Sequence, residues 1–265
     1  MSNQYDNIGE AYNIKKELTY TLLQDANVEA VIKPYIRGAR VLDLACGNGH
    51  HSRACIGWGA SSVVGVDISP TMIGVARRLT TLEQIEFEVA DCSKPKVYRG
   101  GEYDLVFAGW LLNYAPSGND MTNMFRNVAL NLKDGGHFVA ITPHPTEDPK
   151  AHIEAMLAAS EGKRGRDMYL TGFVEGGVSA RVVLTPRDPK AESVGFDTYY
   201  LRKSVYEKAA KEGGFESGLA WTAISIPDGF EESLGDRKEE GLHTYVTAPP
   251  MAFMVTCKEL SGSRN

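Results

Sequence analysis

The sequence lacks the long hydrophobic runs and the clustered positive charge that are typical of membrane and nucleic-acid-binding proteins. The longest uninterrupted apolar stretch runs from Leu105 to Leu112, whereas a helix that spans a bilayer needs about 20 residues. The 28 basic and 34 acidic residues leave a formal charge of −6, and no block of Lys and Arg is long enough to follow a phosphate backbone. We therefore expect no membrane partner and no nucleic-acid partner.

Cysteine is scarce, and its spacing forms no motif. The four cysteines, Cys46, Cys55, Cys92 and Cys257, include no Cys-x-x-Cys pair, so the spacing predicts neither a zinc knuckle nor a disulfide framework. The first seven residues are polar and acidic, unlike the basic and then apolar regions of a signal peptide. These absences predict a cytoplasmic protein with reduced thiols.

The sequence does contain short apolar runs that alternate with helical patterns. With 265 residues, of which 43% are hydrophobic, the chain can bury the core of one domain spanning 1–265. Helical spacing in 8–35 predicts an N-terminal helical cap over 1–35. Buried strands are predicted at 40–45, 62–67, 85–91, 103–109 and 137–141. Strands that alternate with helices in this way predict a doubly wound, parallel α/β sheet with helices on both faces.

The pattern changes after Pro143. The later segments predict a helix near 149–160, a glycine-rich stretch over 162–177, an alternating segment at 178–184, a helix at 203–212, and closing strands near 215–226 and 252–257. We expect residues 144–200 to form an insertion of helices or loops. Its aromatic residues indicate a lid over a compact substrate.

A glycine-bearing turn follows the first predicted strand. Gly47 and Gly49 allow the backbone to approach a ligand closely, and the amides of the next helix favour an anionic group, either a pyrophosphate or a carboxylate. A dinucleotide-binding fingerprint would place a third glycine at Ser52. Asp43, just before the turn, would repel a pyrophosphate, but it favours the ammonium or sulfonium group of S-adenosylmethionine.

Two further acidic residues end the next two predicted strands. Asp67 can accept hydrogen bonds from both hydroxyls of a ribose, which suits any adenosyl ligand. Asp91 and the amide of Cys92 can bind the edge of an adenine ring. Because the carboxyl ends of parallel strands meet at one edge of a sheet, Asp43, Asp67 and Asp91 predict a cofactor site at that edge.

These motifs together resemble the class I S-adenosylmethionine-dependent methyltransferases. The resemblance covers roughly residues 5–141 and rests on motifs in the family's order at 41–49, 63–69, 90–91, 103–106 and 130–136. It implies a Rossmann-like, seven-stranded sheet of five parallel strands and an antiparallel closing pair, with S-adenosylmethionine as the cofactor. Ala45 stands where the family most often has its first glycine.

The resemblance also implies roles for individual residues. Gly47 and Gly49 would pass beneath the methionine part of the cofactor, and Asp67 would hold the ribose. The whole predicted cofactor-binding set is Tyr12, Asp43, Ala45, Gly47, Gly49, Asp67, Ile68, Met72, Asp91, Cys92, Ala108 and Gly109. Within it, Ile68 or Met72 would pack against adenine, and Tyr12 would fold over the cofactor.

Catalytic and substrate-binding candidates lie near the predicted carboxyl edge. His144 follows the fifth strand and is the candidate general base, and Tyr12 is a second catalytic candidate. The predicted substrate residues are Trp110, Tyr114, His144 and Tyr200. The pair His50-His51 has no carboxylate or further histidine at ligand spacing, so the sequence predicts no metal site.

The sequence thus predicts an enzyme that transfers a methyl group from S-adenosylmethionine to nitrogen or oxygen of a small molecule. The acceptor is expected to be aromatic or a secondary metabolite, and the enzyme a monomer or homodimer. Two alternatives stay open. An NAD-linked oxidoreductase would share the argument from Asp67, and a non-catalytic adenosyl-binding protein would share the whole cofactor site.

Overall fold

A seven-stranded sheet forms the centre of the fold. The computed structural model describes residues 4–8, 18–160, 166–185, 190, 192–235 and 242–260. The strands of this sheet are β1 Arg40–Leu44, β2 Ser62–Asp67, β3 Ile85–Val89, β4 Tyr103–Gly109, β5 Leu132–Thr142, β9 Ala220–Ala223 and β10 Ala252–Cys257. Their order is β3-β2-β1-β4-β5-β10-β9. The first five are parallel, and β10 is antiparallel to both β5 and β9, which confirms the predicted Rossmann-like fold.

The central strands are apolar because both of their faces are covered. Val41, Leu42 and Leu44 of β1 are fully buried, as expected for a parallel strand between two layers of helices. One cluster of buried hydrophobic residues contains Val41 and Phe107, and a second contains Leu42 and Leu44. The alternation of these side chains places one core on each face of the sheet.

Helices flank the strands, including two at the predicted spans 149–160 and 203–212. They are α1 Gln4–Ile8, α2 Thr19–Ile36, α3 His50–Gly57, α4 Pro70–Leu79, α5 Gly118–Asn131, α6 Pro149–Ser160, α7 Lys203–Glu212, α8 Phe230–Ser233 and α9 Thr244–Thr247. The start of α4 illustrates how the sequence fixes an end: the hydroxyl of Ser69 accepts from the Met72 amide at 3.1 Å, and Pro70 takes the first helical position. No helix among the described residues combines the length and apolar character that crossing a bilayer requires.

The second half of the chain contains a second sheet. The expectation of inserted helices or loops over 144–200 is wrong for three segments, which form the antiparallel strands β6 Arg166–Val174, β7 Gly177–Leu184 and β8 Val194–Leu201. Alternate residues of β7 are buried, as in a sheet that packs on one face. The segment 178–184, where the sequence alternates, therefore belongs to β7, the middle strand of this sheet.

The second sheet lies next to the end of β4. A single 3₁₀ turn, Leu112–Tyr114, follows that strand. The Asn113 amide donates to the Thr198 hydroxyl of β8 at 2.7 Å, and that hydroxyl donates to the Asn113 carbonyl at 3.0 Å. This reciprocal pair of buried hydrogen bonds places β8 beside the carboxyl edge of the main sheet.

Candidate functional site

A cleft opens at the carboxyl ends of β1, β2 and β4. Its empty volume is about 1040 Å³, including space open to solvent. The predicted cofactor-binding residues that line it are Asp43, Ala45, Gly47, Asp67, Ile68, Met72, Asp91, Cys92 and Gly109, and the predicted substrate residues are Trp110 and Tyr114. The fold therefore brings together residues from four separate motifs at one edge of the sheet, where open α/β sheets bind ligands.

The turn after β1 has a left-handed backbone at three positions. The φ angles of Ala45, Gly47 and Gly49 are 58°, 55° and 74°. A side chain at Gly47 would meet nothing within 4 Å, whereas a Cβ at Gly49 would lie 2.7 Å from Cζ of Phe87. Gly47 is thus required for conformation alone, and Gly49 for both conformation and close packing.

This difference predicts unequal effects of two alanine substitutions. Gly47→Ala should lower the free energy of unfolding by about 1–2 kcal/mol, the cost of a left-handed alanine. Gly49→Ala adds overpacking of Phe87, for a total of roughly 2–4 kcal/mol. The ring of Phe87 also packs closely on Gly65, where a Cβ would lie 2.7 Å from its Cδ1, so it has little room to move. Urea denaturation without cofactor measures both, and equal destabilisation would contradict this packing argument.

Asp67 is held by the backbone around it. Its Oδ2 accepts from the Gly47 amide at 2.8 Å, and its Oδ1 accepts from the Ser69 amide at 2.9 Å. Burial raises the pKa of Asp67 in spite of these two hydrogen bonds. Each carboxylate oxygen has a second lone pair, so Asp67 can still accept hydrogen bonds from a ligand in the cleft.

The other two carboxylates of the predicted site have different surroundings. Asp43 is 1% exposed and accepts from the hydroxyl of Ser52 at 2.5 Å, so the position of the missing third glycine is occupied by a partner of Asp43. For Asp91, burial raises the pKa, but hydrogen bonds from Ser93 and the nearby Lys94 outweigh it and hold the pKa below its usual range. Asp91 is therefore ionised at neutral pH.

Cys92 lines the cleft but is a poor nucleophile. Its side chain is buried, and burial raises the pKa of the thiol to about 12. The thiolate is the reactive form of cysteine. Cys92 can therefore shape the cleft, but it does not support covalent catalysis at neutral pH.

One wall of the cleft is aromatic. Trp110, the residue after β4, has a φ of 67°, a conformation that is rare for a bulky side chain and that clusters at functional sites. Its indole N–H donates to Oε1 of Gln24 at 2.8 Å. Tyr114 completes this wall, and its hydroxyl is hydrogen-bonded to that of Tyr5.

The short helix α1, within the segment 1–35 that was predicted as an N-terminal helical cap, covers the cleft. The side-chain amide of Gln4 donates to the Asp197 carbonyl at 3.0 Å and accepts from the Asp197 amide at 2.9 Å. Asp6 accepts from the hydroxyl of Ser69 at 2.5 Å. Because Gln4 and Tyr5 both line the cleft, α1 connects the second sheet to the start of α4 across the site. Tyr12, which was predicted to fold over the cofactor, lies outside the described residues.

Asp25 meets the histidine pair next to the glycine turn. His50 Nε2 lies 2.8 Å from Oδ2 of Asp25, and His51 Nε2 lies 3.2 Å from its Oδ1. Burial raises the pKa of Asp25, but hydrogen bonds from the two rings outweigh it and hold the pKa well below its usual range. No carboxylate lies near His50-His51 in the sequence, but the fold brings Asp25 of α2 to them. Both histidines line the cleft.

Of the predicted residues that the structure describes, four do not line the cleft: Gly49, Ala108, His144 and Tyr200. The ring of His144 stacks on that of His152, with centroids 5.2 Å apart. Burial lowers the pKa of both rings. Tyr200 lies in a smaller neighbouring cavity that also contacts Trp110 and Tyr114. The general-base role of His144 stays a prediction.

Residues 41–136 match the family described as "Methyltransferase domain". The ubiquinone biosynthesis O-methyltransferase of Xanthomonas axonopodis pv. citri is 33% identical over 135 residues, which is 50% of this chain and 53% of that protein. The chain thus spans about half the length of the curated relatives it matches. The domain match over 41–136 contains the glycine turn, Asp67 and Asp91.

Solved structures show the same fold. An S-adenosylmethionine-dependent methyltransferase from Mesorhizobium loti has a TM-score of 0.58 and 21% identity, over 88% of this chain and 96% of that one. A chain of the Haloferax volcanii complex between the Trm112 methyltransferase activator and a methyltransferase has a TM-score of 0.63 and 17% identity, over 98% of this chain and 100% of that one. With the domain match and the sheet order, these findings confirm the predicted family and cofactor. Residues 41–136 of the chain thus match a methyltransferase domain, and the fold is shared with S-adenosylmethionine-dependent methyltransferases of known structure.

Proposed function

We propose that the chain transfers the methyl group of S-adenosylmethionine to oxygen or nitrogen of a small molecule that enters beside Trp110. The observation that carries this proposal is the charge of the cleft. Asp43, Asp67 and Asp91 line it, and no Lys or Arg does so among the described residues. Such a site attracts a ligand with an ammonium and a sulfonium group. It would repel the pyrophosphate of NAD, the cofactor of the rival oxidoreductase.

The turn and the strand ends fit the cofactor of the family. Gly47 leaves open space where a Cβ would project, so a ligand can lie directly on the backbone. The remaining lone pairs of Asp67 suit two ribose hydroxyls. Ile68 and Met72 flank the position of the adenine ring, whose amino group can donate to Asp91. These assignments follow from position in the cleft and from the resemblance of the motifs.

The residues of the chain then position the acceptor and exclude water. When bound, the cofactor supplies a methyl group that is already activated by the positive sulfur. Trp110 and Tyr114 form an aromatic wall that can orient a flat acceptor, and Tyr5 of α1 contacts Tyr114 beside it. Holding the acceptor in line with the sulfur–methyl bond is the main catalytic task. A base is needed when a hydroxyl must lose its proton before attack.

The enclosure of the cleft favours a compact acceptor. The second sheet and α1 both approach the end of β4, which leaves little room for a folded protein or a duplex. The curated relatives are named O-methyltransferases, which favours oxygen over nitrogen. Within 144–200, we assign the predicted lid role to the second sheet, because β8 contacts both α1 and the turn after β4.

A screen for turnover tests this proposal. The purified chain is incubated with S-adenosylmethionine and a panel of phenols, hydroxy acids and small amines, and release of S-adenosylhomocysteine is measured. We expect acceptor-dependent release with at least one phenol or hydroxy acid. Cofactor binding without release from any panel member would favour the non-catalytic alternative.

A further inference from the structure

Three side chains from two helices converge beside the cleft. Asp25 of α2 contacts both His50 and His51 at the start of α3, and the ligand-type atoms of the three residues all lie within 4.8 Å of one another. We propose that Asp25, His50 and His51 bind a divalent transition-metal ion, with Zn²⁺ as the best match to the ligand set.

The orientation of the two rings supports this proposal. Side chains of consecutive helical residues diverge by about 100°, yet both rings direct Nε2 at the same carboxylate. A proton relay would need one such imidazole, and the second would have no role in it. Two imidazoles and one carboxylate are a ligand set that catalytic zinc uses when a fourth position stays open.

The surroundings favour a cation at this place. Three carboxylates line the same cleft, and no Lys or Arg lines it among the described residues. The side chain of Asp25 is 26% exposed, and those of His50 and His51 are 31% and 11% exposed. The cluster is therefore enclosed on most sides but accessible from the cleft, as an open coordination position requires.

The ring of His51 is also held in place. It packs edge-on against Phe107, with centroids 5.0 Å apart. A Cβ at Gly109 would lie 3.6 Å from its Nδ1, so glycine at this strand end leaves room beside the ring. Ligands that are oriented before binding lose less entropy when the ion binds.

The site suggests a role in the reaction. A metal ion held by Nε2 of His50 and His51 beside the cleft would bind an acceptor hydroxyl and lower its pKa, so that the proton is lost to water before methyl transfer and no protein base is needed. This role rests on the proposed function. The binding of the ion does not, because it requires neither S-adenosylmethionine nor an acceptor.

Metal titration tests the site directly. The untagged chain is treated with a chelator, dialysed, and titrated calorimetrically with ZnCl₂ without cofactor; CoCl₂ is followed by visible absorption. We expect one ion per chain with a micromolar or lower Kd. Asp25→Ala and His51→Ala should each weaken binding by about 100-fold, at or above the effect of losing an outer-shell partner. His51→Gln keeps a polar side chain of similar length. The same loss of Zn²⁺ affinity in this variant would show that the loss in His51→Ala is not caused by misfolding.

The second histidine pair provides a matched control. A His144→Ala/His152→Ala double variant removes two stacked imidazoles outside the cleft and should bind Zn²⁺ like the parent chain. A Kd above 1 mM for the parent, or equal affinity in Asp25→Ala, would overturn the proposal and leave the cluster as a hydrogen-bonded Asp–His group. Normal binding of S-adenosylmethionine in the same preparation would show that the proposed function survives.

Discussion

Replacing Asp67 with Asn should weaken the binding of S-adenosylmethionine by about 30- to 100-fold. Asn keeps the size of the side chain but removes the charge that we expect to accept from two ribose hydroxyls. Hydrogen bonds to charged groups contribute about 1.5–3 kcal/mol, and a loss of about 2–2.7 kcal/mol corresponds to this change in Kd. Calorimetric titration of the parent and variant chains measures it.

The same substitution should change the pH dependence of folding. Burial raises the pKa of Asp67 above its ordinary 3.8, so the unfolded state releases this proton first. The contribution of the group to stability is therefore greatest below pH 3.8 and declines as the pH rises through the raised pKa. Asp67→Asn lacks this decline. Urea denaturation across pH 4 to 8 should show a flatter profile for the variant.

Asp104 offers a matched control for Asp67. It also lies in a motif of the family, but at the start of β4, where it accepts from Lys133 at 2.6 Å and does not line the cleft. Asp104→Asn should leave cofactor affinity within about twofold of the parent. Equal loss of affinity in both variants would indicate a general effect of charge, and no loss in Asp67→Asn would remove the assigned ribose contact.

Replacing Asn127 with Leu should lower the free energy of unfolding by roughly 3–5 kcal/mol. Asn127 of α5 is fully buried. Its Oδ1 accepts from the Lys96 amide at 2.9 Å, and its Nδ2 donates to the Cys92 carbonyl at 2.9 Å and to the Tyr98 hydroxyl at 3.0 Å. Leucine has a similar size, but it leaves these buried groups without their partner, at about 1–3 kcal/mol each. Chemical denaturation gives the change in free energy.

Asn127 also connects stability to the site. The segment that it holds begins at Cys92, which lines the cleft, so Asn127→Leu should weaken cofactor binding as well. Asn123, on the same helix, accepts a hydrogen bond from the exposed Arg126 at 3.3 Å, and Asn123→Leu should change stability by less than about 0.5 kcal/mol. A loss below 1 kcal/mol in Asn127→Leu would contradict the assigned hydrogen-bond network.

The first half of the fold was predictable because its signals are local. An apolar run, a glycine turn and an acidic strand end lie within ten residues of one another at β1, and Ser69-Pro70 marks the start of α4. Each signal acts on the backbone nearby, through burial, a left-handed φ or a cap. The preference for right-handed crossovers then restricts the strand orders that the chain can adopt.

The second sheet could not be predicted in this way. Only β7 shows clear alternation in the sequence, and β6 and β8 become strands by pairing with it. Antiparallel partners are selected by contacts between distant residues, so the pattern of one strand does not reveal its neighbours. The exposed edge strand β9 is likewise shorter than predicted, with four residues at Ala220–Ala223 instead of the span near 215–226.

The residues of the candidate site also fall into two groups, those with a local signal in the sequence and those brought together by tertiary packing. Asp43, Asp67 and Asp91 are identified by their place at strand ends, which the sequence shows. Asp25 joins His50 and His51 only because α2 packs beside the start of α3, and no local spacing predicts this meeting. The missed residues of the site are those supplied by tertiary packing.

Calorimetric titration of the unmodified chain with S-adenosylmethionine tests the central claim most directly, with NAD⁺ titrated in parallel. The charge and shape of the cleft predict one molecule of S-adenosylmethionine per chain with a micromolar Kd, and no measurable binding of NAD⁺ at 1 mM. Binding of NAD⁺ with no binding of S-adenosylmethionine at that concentration would contradict the assignment of the cleft to a cationic adenosyl cofactor.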